Sequence, residues 1–103
     1  MAVIAVDDLA YFRRLLYSHQ KVVVDFSANW CGPCRQMGPV FYELSGKYNE
    51  ILFLSVDIDN AREIAREYRV TSLPTFILFN GGYAISSVMG ANKQALEQGI
   101  KSL

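Results

Sequence analysis

The chain has 103 residues, near the commonest domain size and long enough for a single buried core. About half of them are apolar (51%), and ten basic side chains balance ten acidic ones. That composition excludes a disordered chain and gives no electrostatic reason to expect nucleic acid or an acidic membrane surface as a partner. No apolar run approaches the ~20 residues of a membrane span.

Residues 2–6, "AVIAV", read as a short strand. No basic region precedes this patch, and two aspartates follow where a signal peptide would stay apolar, so a cytoplasmic protein is expected. Asp7 is placed to cap a helix over residues 8–18, with Leu9, Phe12 and Leu16 on one face. "KVVVDF" (21–26) is β-branched and apolar on both faces, as a central strand covered from both sides would be. A helical pattern then runs from about Cys31 to Tyr48, with Met37, Val40, Phe41 and Leu44 at helical spacing and a kink expected at Pro39. "ILFLSVD" (51–57) is a second buried strand. Asn60 and Glu63 have capping-box spacing and open a short helix with Ile64, Ala65 and Tyr68. "TFILF" (75–79), a tight "NGG" turn (80–82) and "YAISSV" (83–88) make a hairpin. Asn92 caps a last helix whose inner face carries Leu96, Ile100 and Leu103. Gly99 costs that helix about 1 kcal/mol relative to alanine, so its end is expected to fray. The order βαβαβαββα over residues 1–103 reads as one α/β domain, a sheet with helices on both faces.

The two cysteines, Cys31 and Cys34, stand in "WCGPC" behind the only tryptophan, Trp30. A closed zinc site needs four ligands, and two cysteines with His19 fall short, so no metal is expected unless two copies share their pairs. As a staple the pair would close a very short loop and add only about 2 kcal/mol. Redox chemistry uses all that surrounds it. Cys31 begins a helix, where free N–H groups and the macrodipole favour negative charge. Such a position lowers a thiol pKa from ~8.5 to ~7 or less, raising the thiolate fraction at neutral pH from about 3% to about half. Cys34, one turn on and facing inward, reaches Cys31 but no outside partner. Cys31 can therefore attack a substrate disulfide, and Cys34 then resolves the mixed disulfide. Gly32 lets a partner's backbone approach closely, and Pro33 supplies a fixed φ for the first helical turn. Asp25, within the apolar "VVVDF", is the candidate acceptor of the Cys34 proton. Burial would raise its pKa toward neutrality; the sequence alone leaves open that it points into solvent at the strand end.

With these residues together, "VDFSANWCGPC" resembles the active-site signature of the thioredoxin family, "LPTFILFNGG" its Pro-Thr-Phe strand and hairpin, and "GAN" its glycine turn before the last helix. The similarity spans the whole chain. It implies the thioredoxin fold, a mixed five-stranded sheet flanked by four helices, with the final hairpin antiparallel to the central strands. It implies a cis bond before Pro74, facing Cys31, and a docking rim for clients made of Trp30, Leu73, Pro74, Gly90 and Ala91. It favours a buried Asp25, and a reversible Cys31–Cys34 disulfide as the redox centre. Gly32 and Pro33, between the cysteines, mark the reducing end of the superfamily, so the expected activity is protein-disulfide reduction. No nucleotide fingerprint is present and no bound cofactor is expected. Electrons would come from thioredoxin reductase, an NADPH-dependent flavoprotein, and pass to disulfide-containing client proteins, with the chain acting as a monomer. In many relatives a lysine on the neighbouring strand lies near the buried aspartate; the corresponding residue here is Ser55, so Asp25 should titrate higher than in those relatives. Arg35 replaces another common lysine, and little change is expected from it. A thioredoxin-fold binding module without turnover is the competing reading, and the filled catalytic positions speak against it. An isomerase or oxidase would need a potential well above the ~−270 mV of a thioredoxin.

Overall fold

Why the segment around Asp25 is apolar on both faces is clear from its place in the computed structural model, which describes residues 2–103. Strand β2 (Lys21–Ser27) is the middle strand of five, buried from Val22 to Phe26. The others are β1 (Val3–Ala5), β3 (Leu52–Asp57), β4 (Thr75–Asn80) and β5 (Tyr83–Met89), in the spatial order β1-β3-β2-β4-β5. The first three pair in parallel, while β4 runs antiparallel to β2 and β5 antiparallel to β4, as expected for a mixed sheet.

The helices are α1 (Leu9–Ser18), α2 (Gly32–Lys47), α3 (Arg62–Glu67) and α4 (Lys93–Lys101). Alternation along β2 divides the core in two. Val22, Val24 and Phe26 pack with Phe12 and Leu16 of α1 and Ile64 of α3. Val23 packs on the other face with Met37, Phe41 and Leu44 of α2 and Leu96 and Ile100 of α4. Connections between parallel strands are right-handed, and β3 lies between β1 and β2, so the path from β2 to β3 steps back across the sheet. That reversal puts α1 and α2 on opposite faces. It also makes the carboxyl end of β2 a switch point, the place where open α/β sheets form their sites.

Local chemistry decides the element ends. Asp8, not Asp7, caps α1: its carboxylate accepts the Tyr11 N–H at 2.8 Å, the spacing from N-cap to N3. Asn60 caps nothing. Helix α3 starts after Ala61 with no side-chain cap, because the Asp57 carboxylate gathers the turn's donors, the Asp59 N–H at 2.9 Å and Asn60 Nδ2 at 3.5 Å. Glu63 still lies in the first turn, where the helix dipole favours it, but no reciprocal box forms. Helix α2 runs through Pro39 without interruption. The hairpin turns on Gly81 and Gly82, both at positive φ (61° and 89°), which glycine alone adopts without strain. Asn92 caps α4 through the Ala95 N–H at 3.0 Å, as expected. Helix α4 continues through Gly99 to Lys101, and a Cβ at Gly99 would lie 3.3 Å from Leu78 Cδ2, so the missing side chain is what lets α4 lie close on β4. Glu97 of α4 accepts from Lys47 Nζ (2.6 Å) and the Tyr48 hydroxyl (2.8 Å), tying α4 to the end of α2.

The cap of α1 is testable. Asp8→Ala is expected to lower stability by about 1 kcal/mol, a fall of roughly 4–8 °C in Tm, and Asp7→Ala to change it by less than about 0.5 kcal/mol. Thermal unfolding of both variants at neutral pH checks this, and equal losses would place the cap elsewhere.

Candidate active site

Strand β2 delivers the chain to the carboxyl end of the sheet, and residues 28–31 turn it back into α2. Cys31 is the N-cap of that helix, in extended conformation, and its Sγ accepts the Cys34 N–H at 3.3 Å. The outer sulfur thus sits where the orphan donors of the first turn converge. Pro33 lies in the first turn, where its missing N–H costs no bond. The two sulfurs are joined in a disulfide, so the structure is the oxidised form.

Burial corrects one expectation. Cys31 is no more exposed than Cys34: each is 6% accessible, packed with Ala28 and covered by Ile58 and Leu73. In the oxidised form each sulfur shields the other, and what distinguishes the two is position. Cys31 stands before the helix beside the exposed rim, whereas Cys34 is inside it.

The expected rim comes together from three loops. Trp30 is 67% exposed, and its indole N–H donates to Asp59 Oδ2 at 2.9 Å. Leu73 is half-buried against the cysteines. The Leu73–Pro74 bond is cis, and the Pro74 carbonyl accepts the Gly90 N–H at 2.9 Å, joining the two loops. Pro74 itself is buried, so it shapes the rim more than it offers surface; Gly90 is half-buried, and Ala91 and Gly32 are exposed. Gly90 has φ of 90°, a conformation that favours glycine. Sequence reasoning missed Asp59, which holds the tryptophan; Arg35, from which little change was expected, holds the loop by donating to the Asn29 carbonyl at 2.9 Å. No spacing rule pairs residues 29 apart, so no local signal announces Asp59.

Asp25 is buried and does not point into solvent at the strand end. It shares a sheet face with Val23, beneath α2, and lies nearer the carboxyl end of β2, as Cys34 lies one turn nearer the start of α2 than Met37. It is 6% exposed, and its Oδ1 is buried with no hydrogen-bond partner among the described residues. Desolvation raises its carboxyl from an ordinary 3.8 to about 7. A carboxyl with that value holds or yields a proton at neutral pH.

The family model for Thioredoxin matches residues 2–102. The chain belongs to the thioredoxin family. It is 44% identical over 106 residues to Thioredoxin H2-1 of Oryza sativa subsp. japonica, covering 99% of this chain and 77% of that protein. Its structure superposes with a TM-score of 0.95 on oxidised mitochondrial Thioredoxin 3 of Saccharomyces cerevisiae, 42% identical, covering 98% of this chain and 95% of that one. A further neighbour comes from the thiol-resolving mechanism of yeast mitochondrial 1-Cys peroxiredoxin via glutathione and thioredoxin systems. It is 40% identical, with a TM-score of 0.96, covering 99% of this chain and 96% of that one. The sheet order and four helices are the thioredoxin fold. With its bonded cysteine pair, this thioredoxin is a protein-disulfide reductase acting by thiol–disulfide exchange. Among the described residues no helix is long and apolar enough to cross a membrane.

The raised carboxyl makes stability depend on pH in a definite direction. The folded state holds the Asp25 proton more tightly than the unfolded one, so stability is undiminished below pH 3.8 and is lost as pH rises from there to about 7. Asp25→Asn, which removes that penalty, is expected to stabilise the protein by up to about 4 kcal/mol at pH 8 and hardly at all at pH 3.5. Urea unfolding at the two pH values measures the difference, and carbon-detected NMR of the Asp25 carboxyl should find its midpoint near 7. A midpoint near 4 would rule out both burial and role.

Proposed function

We propose that Cys31 is the attacking thiol, Cys34 the resolving thiol and Asp25 the base that receives the Cys34 proton. The observation that carries this reading is the placement of the pair: one sulfur is the N-cap of α2, bonded to a second sulfur inside the first turn. In the reduced protein the helix N-terminus stabilises the Cys31 thiolate, which attacks a client disulfide; one client sulfur leaves and a mixed disulfide forms. Cys34 then gives its proton to the Asp25 carboxylate and attacks Cys31 Sγ. The Cys31–client bond breaks, the Cys31–Cys34 bond forms, and the second client sulfur leaves as a thiolate. Two electrons pass from the dithiol to the client.

Clients dock on the rim of Trp30, Leu73, Pro74, Gly90 and Ala91, with Gly32 and Pro33 setting the geometry and potential of the pair. The half-buried and exposed members around the sulfurs give a protein backbone room to approach. The structural neighbour from the yeast peroxiredoxin system supports clients of the peroxiredoxin kind. Thioredoxin reductase restores the dithiol, and the protein works as a monomer in the cytoplasm, where the reducing poise favours a catalytic cysteine pair over a structural one.

Cys34→Ser tests the order of events. It is expected to hold clients as stable mixed disulfides through Cys31 and to abolish reduction of insulin by dithiothreitol above the uncatalysed rate. Cys31→Ser should trap none. If both variants trap equally, or neither does, the assignment of the two thiols fails; if the parent protein reduces insulin no faster than dithiothreitol alone, turnover itself fails.

A further inference from the structure

We propose that the free edge of β5 takes up the client as a sixth strand: the extended, uncharged segment following the client's reactive cysteine pairs antiparallel with Ser87 and Met89. The proposal rests on the reading of Cys31 as the attacking thiol with clients docked on its rim, and concerns where the client chain goes from there. Strand β5 is the last of the five in the sheet, so one of its two sides has no neighbouring strand.

Two hydrogen bonds fix which residues face that side, because bonded and non-bonded pairs alternate along an antiparallel ladder. The Gly90 N–H donates to the Pro74 carbonyl at 2.9 Å, and these two stand opposite each other in the register that pairs Thr75 with Met89. The bonded pairs of β4 and β5 are therefore Pro74 with Gly90, Phe76 with Val88 and Leu78 with Ser86. The other side of β4 agrees. The Gly81 N–H donates to the Gln20 carbonyl at 2.9 Å, which makes Phe26 and Thr75 a bonded pair and turns the polar backbone groups of Thr75 toward β2. Ser87 and Met89 thus each aim an N–H and a carbonyl away from β4, and both residues are exposed. Edge strands are ordinarily blunted by charge or proline, and β5, YAISSVM, holds neither. Ile85 and Met89, 53% and 64% exposed, offer apolar contacts to β-branched or aromatic residues of an added strand.

This edge suits a tethered client better than a second copy of the chain. A register shift between Leu78 and Phe79 interrupts the ladder, so the regular edge holds only two outward-facing residues. So few bonds do not hold two free chains together, but a client bound at Cys31 is present at high effective concentration. The edge is also continuous with the rim, since Met89 leads directly into Gly90, which is bonded to Pro74. A strand added outside β5 lies three strand spacings from β2, about 14 Å. About four extended residues cross that distance, so pairing begins near the fifth residue after the client cysteine. Strand β5 runs toward the rim, and a client chain leading away from its cysteine along it is antiparallel, the more stable pairing.

Cysteine peptides carried as mixed disulfides with thionitrobenzoate test this in the Cys34→Ser background. The Cys31 thiolate attacks the peptide sulfur, the Cys31–peptide bond forms, and coloured thionitrobenzoate leaves with the electron pair. The long probe is a cysteine followed by nine residues of alternating threonine and valine; the short probe is its first three residues. The long probe is expected to reach half-maximal rate at about a tenfold lower concentration, with the maximal rate unchanged, the factor that two backbone hydrogen bonds of ordinary net strength give. Ser87→Pro removes an outward N–H and no bond to β4, so it should abolish that gain and keep the short probe within about twofold of the parent. Long probes N-methylated on one or the other alternate set of residues leave the protein untouched, and they decide the matter should Ser87→Pro fail to fold. One set is expected to lose the gain and the other to keep it. Equal half-maximal concentrations for the two lengths, a gain that survives Ser87→Pro, or methylated sets that behave alike would each overturn the proposal. So would sedimentation in reductant showing a dimer that Ser87→Pro dissociates, since the edge then belongs to a second copy. If even the short probe is not attacked, the assignment of Cys31 fails and takes this proposal with it.

Discussion

The reversal of winding after β2 is the constraint on which the rest of the structure depends. Because β3 inserts between β1 and β2, the chain must step back across the sheet, and a right-handed connection can do so only with α2 on the face opposite α1. The N-terminus of α2 is thereby held over the carboxyl end of the central strand. One constraint supplies three things the chemistry needs. An outer sulfur becomes the N-cap, an inner sulfur is fixed one turn behind it, and a side chain two residues before the end of β2 is sealed under the helix.

That seal makes the site costly to keep and useful to have. Asp25 occupies a place where its neighbours on the same face, Val23 and Phe76, are hydrocarbon, and its Oδ1 has no partner among the described residues. A side chain chosen for stability alone would be apolar there. The central strand can hold it because the core on either side is dense: Phe41 packs tilted against Phe53 and Phe76 with ring centres 5.0 and 5.6 Å away, and Phe12, Tyr68 and Phe79 meet edge to face on the other side. What stability loses there is the cost of a carboxyl that titrates near neutrality, the property the proposed role of Asp25 requires.

Much of this was legible in the residues themselves. Strands appear where β-branched and aromatic runs appear, helices where apolar residues recur every three or four, and the two-glycine turn where the backbone must take positive φ. The signals that misled were single residues. Asp7 and Asp8 are adjacent and chemically alike, and one residue of register decides which carboxylate meets the Tyr11 N–H. Asn60 has the spacing of a cap, but Asp57 reaches the same turn first. Gly99 reads as a defect in an isolated helix and becomes a requirement once Leu78 lies beneath it. In each case the competing partner belongs to another element or sits one residue away.

By itself the sequence determined the order of elements, the two-sided apolar strand, and the spacing that lets two sulfurs close a bond across one helical turn, because all of these depend on residues near one another along the chain. Only the tertiary structure decided which contacts cross it. These are the sealing of Asp25 beneath α2, the tether from Trp30 to Asp59, and the bond joining the Pro74 and Gly90 loops. Burial and long-range pairing depend on how strands stack and helices cover them. A pattern of neighbours carries no record of which distant residue will stand opposite.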